Sequence, residues 1–381
     1  MEYELLKDIA KITMGQSPSS SSYNENGDGL PFFQGNADFG EVYPTVRIWC
    51  NNVKKVAHKD DILVSVRAPI GAVNMANHDC CIGRGLAAIT VNKPEDREYI
   101  FRLLKAQNKK LNQMGTGSTF KAIGKKVLEN IQVPILSKNE KIRAMQILKR
   151  IESLVGARKS QLFQLDAFVK ARFVEMFGDP CCNQLNWNCK KLSEITSKIG
   201  SGATPKGGKE SYVVNGVSFV RSLNVYDGNF VYKNLAHLTQ EQASQLQNVT
   251  LEKDDVLINI TGASVARSCI VPNDILPARV NQHVSILRPN LENVNPVFLN
   301  KLLISYNFKN KLLNLGSAGG ATRQAITKQQ LEDLEIILPP IELQNQFESF
   351  VHQVDKSKVA IQKSLDETQL LFDSLMQEYF S

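Results

Sequence analysis

Residues 59–66 read KDDILVSV and residues 253–260 read KDDVLINI, each a polar turn running into an apolar stretch of strand length. GLAAITV, GVSFVRSL and HVSIL have the same character. Such short apolar or alternating runs, bounded by Gly, Asn, Asp and Pro, are the signature of buried strands. Polar, glycine-rich connections separate them, among them GQSPSSSSYNENGDG (15–29) and GSGATPKGGKES (200–211). Two stretches carry helical spacing instead, YIFRLLKAQNKKLNQM (99–114) and PVFLNKLLISYNFKNKLLNL (296–315). The pattern predicts compact, β-rich α+β domains carrying a few helices.

Two further segments are long and purely helical. The first opens on a capping box, Ser137 and Glu140, which satisfies free amides at a helix start. It stops at Phe177-Gly178-Asp179-Pro180, a glycine C-cap followed by proline. Between these ends Leu148, Val155, Leu162, Val169 and Met176 recur at heptad spacing. Ile151, Arg158, Leu165 and Arg172 hold the interleaved position, completing a coiled-coil seam. The second helix follows Pro339-Pro340 and has Phe347, Val354, Ile361 and Leu375 in its seam, with Val351, Leu365, Phe372 and Tyr379 interleaved. About 40 residues of helix span ~60 Å. Pairing the two helices with each other hides both stripes and predicts a rigid rod. Docking of each stripe on its own domain, or on another chain, is the alternative.

The repeated strand belongs to a larger repeat. LKDIAKITMGQSP (6–18) is answered by LSEITSKIGSGATP (192–205), and CIGRGLAAI (81–89) by RVNQHVSIL (279–287). GTGSTFKAIGKKVLENIQV (115–133) is answered by AGGATRQAITKQQLEDLEI (318–336). Blocks kept in one order, with slowly drifting offsets, mark a tandem duplication whose unit is a whole domain. The expected boundaries are a first domain over 1–136, a helix over 137–179, a second domain over 180–338 and a second helix over 339–381.

Composition narrows the function more by exclusion than by suggestion. Of 381 residues, 43% are hydrophobic and 22% charged, as in globular proteins; the formal net charge of +7 suits a polyanionic partner. No apolar run is long enough to span a bilayer and the N-terminus lacks a signal-peptide core, so an intracellular, cytoplasmic protein is expected. The seven cysteines form no C-x-x-C pair and read as reduced and structural. Gly207-Gly208-Lys209 is no phosphate loop, because Ala203 and Glu210 stand where a glycine and a hydroxyl residue belong. GTGSTF (115–120) lacks the third glycine of a dinucleotide fingerprint. Neither His78-Asp79-Cys80-Cys81 nor Cys181, Cys182 and Cys189 has the spacing of a zinc module. No amino-methyltransferase motif of the Asn-Pro-Pro-aromatic type is present. A binding protein is expected, with no catalytic residue, metal or cofactor of its own.

Two similar domains on a rod can read two separated segments of a regular polymer. On duplex DNA the unit is one turn, ~34 Å, which the rod's length matches in order of magnitude. Because the copies differ in their loops, the half-sites should differ, giving an asymmetric bipartite site. Arg and Lys grip phosphates and guanine edges, and Asn and Gln pair with adenine. In the first copy the candidates are Gln34, Asn36, Arg67, Arg84 and Lys121. Their counterparts in the second are Arg221, Asn224, Thr261, Gln282 and Arg323. Lys206 and Lys209 suit phosphate contacts.

GSGATPKGGKESY, GLPFFQGNADFG, the KDD strand and the GATRQAI–LEIILPPIELQ run resemble the DNA-specificity (S) subunits of type I restriction–modification systems. The resemblance covers essentially the whole chain. It implies two target-recognition domains related by pseudo-twofold symmetry and separated by two long antiparallel coiled-coil helices that act as a ruler. It further implies a non-catalytic subunit binding double-stranded DNA, two modification (methyltransferase) subunits on the helices, and restriction (translocase/nuclease) subunits. S-adenosylmethionine, ATP and Mg would act only in those partners, and no membrane is involved. The outer helix faces, with Lys141, Arg143, Lys149, Arg150, Arg158 and Lys159, would be partner surface. A coiled-coil scaffold with protein-binding ends is the competing class; a fused nuclease or methyltransferase is a third.

Overall fold

The repeated KDD turn shows why the chain contains it twice. In the computed structural model, which describes residues 2–117, 121–205, 207–317 and 324–380, the middle aspartate takes the left-handed conformation in both copies, φ 74° at Asp60 and 68° at Asp254. Aspartate tolerates that region better than most residues. The next carboxylate then folds back: Asp61 accepts the His58 amide at 2.8 Å and Asp255 the Glu252 amide at 2.7 Å. Both carboxylates are buried. The turn thus caps itself before the strand begins.

The chain forms two compact units, one made of residues up to Lys159 with those from Gln362 onward, the other Ser160–Ile361. In the first, an antiparallel sheet has the order Ala10–Met14, Leu86–Val91, Ile62–Ser65, Val73–Met75. Ile62 and Val64 face a core shared with the helix Arg97–Ala106, while Leu63 faces a second core with Phe33 and Ile82. Burial on both faces is why this strand reads as a solid apolar run. A second sheet has the order Tyr23–Asn24, Trp49–Cys50, Leu30–Phe33, Cys80–Ile82, Val56–Ala57, with Leu30–Phe33 and Cys80–Ile82 parallel.

The second unit repeats this plan, with four strands in its second sheet where the first unit has five. Its first sheet runs Thr196–Ser201, Val284–Pro289, Val256–Asn259, Ser268–Ile270. Its second runs Ala236–Leu238, Val217–Val220, Ala278–Val280, Thr250–Leu251, again with one parallel pair in the middle. Val256 and Ile258 face one core and Leu257 the other, as in the first copy. A further antiparallel pair closes each unit, Tyr3–Leu5 with Gln132–Pro134 and Cys189–Lys191 with Glu335–Ile337. The fold is therefore an internal repeat of a mixed α+β module.

The two shorter helices each differ from expectation by a break. The first divides into Arg97–Ala106 and Asn108–Gln113, the second into Pro296–Leu303 and Tyr306–Ser317. At the second break the Ser305 hydroxyl donates to the Leu302 carbonyl at 2.8 Å, and the Ser305 carbonyl accepts the Lys309 amide to start the next turn.

The long helices are Lys138–Phe177 and Ile341–Phe380, 40 residues each. Ser137 and Glu140 exchange both capping bonds, at 2.8 and 3.3 Å. Gly178 ends the helix at φ 75°. Within the second unit Asp166 pairs with Lys358, Phe168 with Phe350 and Phe173 with Phe347. Numbers rise on one helix as they fall on the other, so the pair is antiparallel. Pairing and docking also turn out to coexist. Phe173, Phe177 and Phe347 stack on Phe298 of the second unit's module or on one another, while Leu148 and Phe380 enter the first unit's core.

Candidate nucleic-acid interface

Four loop segments meet at one end of each module, and equivalent backbone bonds hold them. In the first unit the Gly83 amide donates to Phe33 O at 2.9 Å, Val66 to Gly85 O at 2.9 Å and Ala68 to Lys121 O at 3.2 Å. In the second, Asn281 donates to Val220 O at 3.0 Å, Ile260 to His283 O at 2.9 Å and Gly262 to Gln324 O at 3.0 Å. The loops approach closely because glycine stands where they touch. A Cβ on Gly15 would collide with the Gly83 carbonyl oxygen, and one on Gly202 with the Val280 carbonyl oxygen.

These bonds place Gln34 opposite Arg221, Arg67 opposite Thr261 and Arg84 opposite Gln282. Lys121 falls opposite Gln324, which corrects its pairing with Arg323. Arg323 and Lys206 lie outside the described residues, as does the side chain of Lys209.

In the first unit four of the five candidates line one cleft of about 210 Å³: Gln34, Asn36, Arg67 and Arg84, joined by Ser17 and Ser65. Lys121 is beside them, in the segment that bridges Arg67 through Ala122. Arg84 sits in a Gly-Arg-Gly turn whose amide donates to Ser17 Oγ at 3.1 Å. Both arginines are exposed, and neither guanidinium has a hydrogen-bond or ionic partner among the described residues.

The second unit fills the same place with Thr204, Gln282, His283 and Thr261, bonded in series. Thr204 donates its hydroxyl to Gln282 Oε1. Gln282 Nε2 is 3.3 Å from His283 Nε2, and His283 Nδ1 is 2.6 Å from Thr261 Oγ1. With the amide nitrogen donating, Nε2 accepts and Nδ1 carries the proton shared with Thr261. Arg221 is turned aside: it donates to the Asn234 carbonyl and stands 5.4 Å over the Tyr212 ring.

Asn224 corrects the sequence expectation. It is fully buried; its Oδ1 accepts the Arg221 amide at 3.1 Å and its Nδ2 donates to Val231 O at 2.8 Å. It shapes the loop and offers no edge to a ligand. Its structural counterpart is Asp38, which takes the Gln34 amide at 3.0 Å, and not Asn36. Lys141 and Arg158 are also not on an outer helix face. Lys141 pairs with Asp96 at 3.0 Å and lies over Tyr99, and Arg158 reaches across the seam to the Ser364 carbonyl at 2.6 Å. Thr204, His283, Ser17 and Ser65 escaped the sequence reading. Alignment of CIGRGLAAI with RVNQHVSIL carried one signal, since His283 replaces Gly85.

Among the described residues no group of three or more His, Cys, Asp or Glu side chains could hold a metal ion, and no helix is long and apolar enough to cross a membrane.

A duplicated module whose loops gather polar side chains at equivalent positions is a recognition architecture. The family model for the type I restriction modification DNA specificity domain matches it twice, over residues 1–164 and 184–368, and the chain belongs to that family. Among its relatives is the MjaIX specificity subunit of Methanocaldococcus jannaschii, 24% identical across 97% of this chain and 90% of the relative. A protein described as the MjaX specificity subunit of the same organism is 45% identical over 157 residues, 41% of this chain. The match spans only 37% of that relative. Two solved structures share the fold over the full chain. One, from work on assembly and conformational transition of the type I R-M system, has a TM-score of 0.66 at 16% identity and is 97% covered. The other, the S subunit from M. genitalium, has a TM-score of 0.56 at 15% identity and is 96% covered.

Proposed function

We propose that this chain is a non-catalytic specificity subunit that reads an asymmetric, bipartite site on double-stranded DNA. Each module takes one half-site through this loop end, with residues 1–136 and 180–338 as the two target-recognition domains. The paired helices, over 137–179 and 339–381, set the gap and carry two modification subunits; restriction subunits join that assembly. S-adenosylmethionine, ATP and Mg serve those partners, and the complex works in the cytoplasm on DNA.

The observation that carries the reading is the pair of equivalent loop clusters, held by the same backbone bonds but furnished with different side chains. Shared scaffold with divergent tips is what two readers of unlike half-sites require. Helix residues left open to partners include Arg143, Lys149, Arg150 and Lys159, together with Phe163, Val359 and Leu370, which are 75%, 71% and 69% exposed.

The test is duplex selection from a random pool, using the full chain with the modification subunits of its own system. Two unlike letter clusters at fixed separation are expected, with affinity falling steeply as salt rises. A single cluster, or binding indifferent to sequence, would contradict the proposal. Incubation of the chain alone with DNA and cofactors is expected to give neither cleavage nor methyl transfer.

A further inference from the structure

We infer that the first module's half-site contains guanine read by Arg84 and Arg67, and that the matching positions of the second half-site do not depend on guanine. This deepens the DNA-reading role proposed above and rests on it.

The argument for letters over phosphates comes from comparing the copies. Phosphate contacts are needed by any module that grips a duplex and carry no sequence information. A duplicated scaffold has reason to keep them in both copies. At two equivalent positions, however, one copy has guanidinium groups and the other has Thr261 and Gln282. Positions where the tips diverge in charge while the backbone bonds stay the same are where the letters are expected to diverge.

The surroundings fit a base edge. Arg84 and Arg67 share a cleft of about 210 Å³ with the Gln34 and Asn36 amides, so planar donor groups converge from three loops. Both guanidinium groups are without partners among the described residues, so neither must abandon an ion pair to bind. A guanidinium fork matches the O6 and N7 acceptors of guanine, and no other base presents that pair in the major groove. In the second unit Gln282 is tied to Thr204 and His283, and Thr261 to His283, so neither matching position offers a guanidinium fork.

The experiment starts from the duplex selected by the full chain with its modification subunits. Guanines in each half are replaced singly by deazaguanine, which lacks the ring N7. At one or two guanines of one half-site the replacement is expected to weaken binding about tenfold to a hundredfold. Arg84→Gln should remove that sensitivity and relax the letters of the same half only. Arg84→Lys, which keeps the charge but loses the fork, should behave alike. Gln282→Ala should alter the other half. Arg84 is exposed, so unchanged melting curves are expected to show that these variants fold. If Arg84→Gln weakens all sequences equally and leaves the letters intact, the arginine is a phosphate contact and the inference is wrong while the reading stands. Wild-type insensitivity to deazaguanine in both halves would also overturn it. Failure to select any bipartite duplex would remove the reading itself.

Discussion

The two KDD turns are alike in backbone and unlike in what lies over them. Asp61 and Asp255 cap the same turn, yet among the described residues only Asp255 meets a cation. Arg288 grips it with two bonds, Nε to Oδ1 at 2.8 Å and Nη2 to Oδ2 at 2.9 Å, and also pairs with Glu252. Hydrogen bonding to Asp255 raises the Arg288 pKa further. In the first unit the equivalent of Arg288 is Thr90, and the nearby Arg97 pairs with Asp60 at 3.2 Å instead. A duplicated scaffold can therefore keep its local turn chemistry while rewiring its long-range electrostatics. The same separation holds at the reading loops, where backbone bonds are common to both copies and side chains are not.

The largest effect expected from this contrast is on the second unit. Asp255→Ala leaves Arg288 without its buried partner and the Glu252 amide without its acceptor. Removing one member of a buried pair costs about 3–5 kcal/mol. Asp61→Ala loses only a capping acceptor, about 1–3 kcal/mol. Buried cysteines report each unit separately. Burial pushes the thiols of Cys80 and Cys269 up to about 12, so neither should react at neutral pH until its unit opens. Asp255→Ala is expected to accelerate labelling of Cys269 by at least a hundredfold and to leave Cys80 near its original rate. Equal acceleration at both thiols would mean that the units do not open independently.

The helix seam offers a second contrast of smaller size. In the first unit Arg158 occupies a seam position and donates to the Ser364 carbonyl, which also accepts the Thr368 hydroxyl at 2.7 Å. In the second unit Lys358 pairs with Asp166, whose side chain is 61% exposed. Arg158→Ala should cost about 1–2 kcal/mol, since a charged donor to a part-buried carbonyl is lost. Lys358→Ala should cost less than about 1 kcal/mol, because solvent screens an open ion pair. Chemical denaturation of the two variants orders them, and the reverse order would contradict this assignment of seam charges.

The duplication and the seam were legible because each is a pattern spread over many residues. Residues 148, 151, 155, 158, 162, 165, 169, 172 and 176 are all buried or half-buried, as heptad spacing requires. The cleft was legible in part. Matching the loops between copies brought Gln34, Arg67 and Arg84 into consideration together, and they do share a cleft. What stayed hidden depends on side-chain direction. Nothing in VRSLNVYDG reveals that Asn224 points inward to Val231, or that Arg221 lies on Tyr212. Nor does composition reveal that Lys141 leaves the helix surface for Asp96. A polar residue in a loop can serve the loop or a ligand, and only packing distinguishes the two.

The helix starts give the smallest contrast and one that depends on pH. At the first, the Ser137 hydroxyl, with help from the Ser137 amide at 2.8 Å, holds the Glu140 carboxyl below the usual glutamate range. A carboxyl with a lowered folded-state pKa stabilises at pH above its unfolded value, and that stabilisation is lost as pH falls through the lowered one. The second helix start has Glu342 in its first turn but is capped by a neutral side chain. Gln344, fully buried, donates to Pro339 O at 2.8 Å and Asn293 O at 3.1 Å and accepts the Asn295 amide at 2.9 Å. Hydrogen exchange of the first-turn amides should therefore quicken in acid, relative to intrinsic rates, at Lys138–Lys141 and not at Ile341–Gln344. Glu140→Gln should abolish the acid dependence at the first helix while leaving the second unchanged. Parallel fraying of both starts through the carboxylate range would show that the capping glutamate does not hold the first turn, because Glu140 accepts the Ser137 amide whereas the cap of the second start is the neutral Gln344 amide.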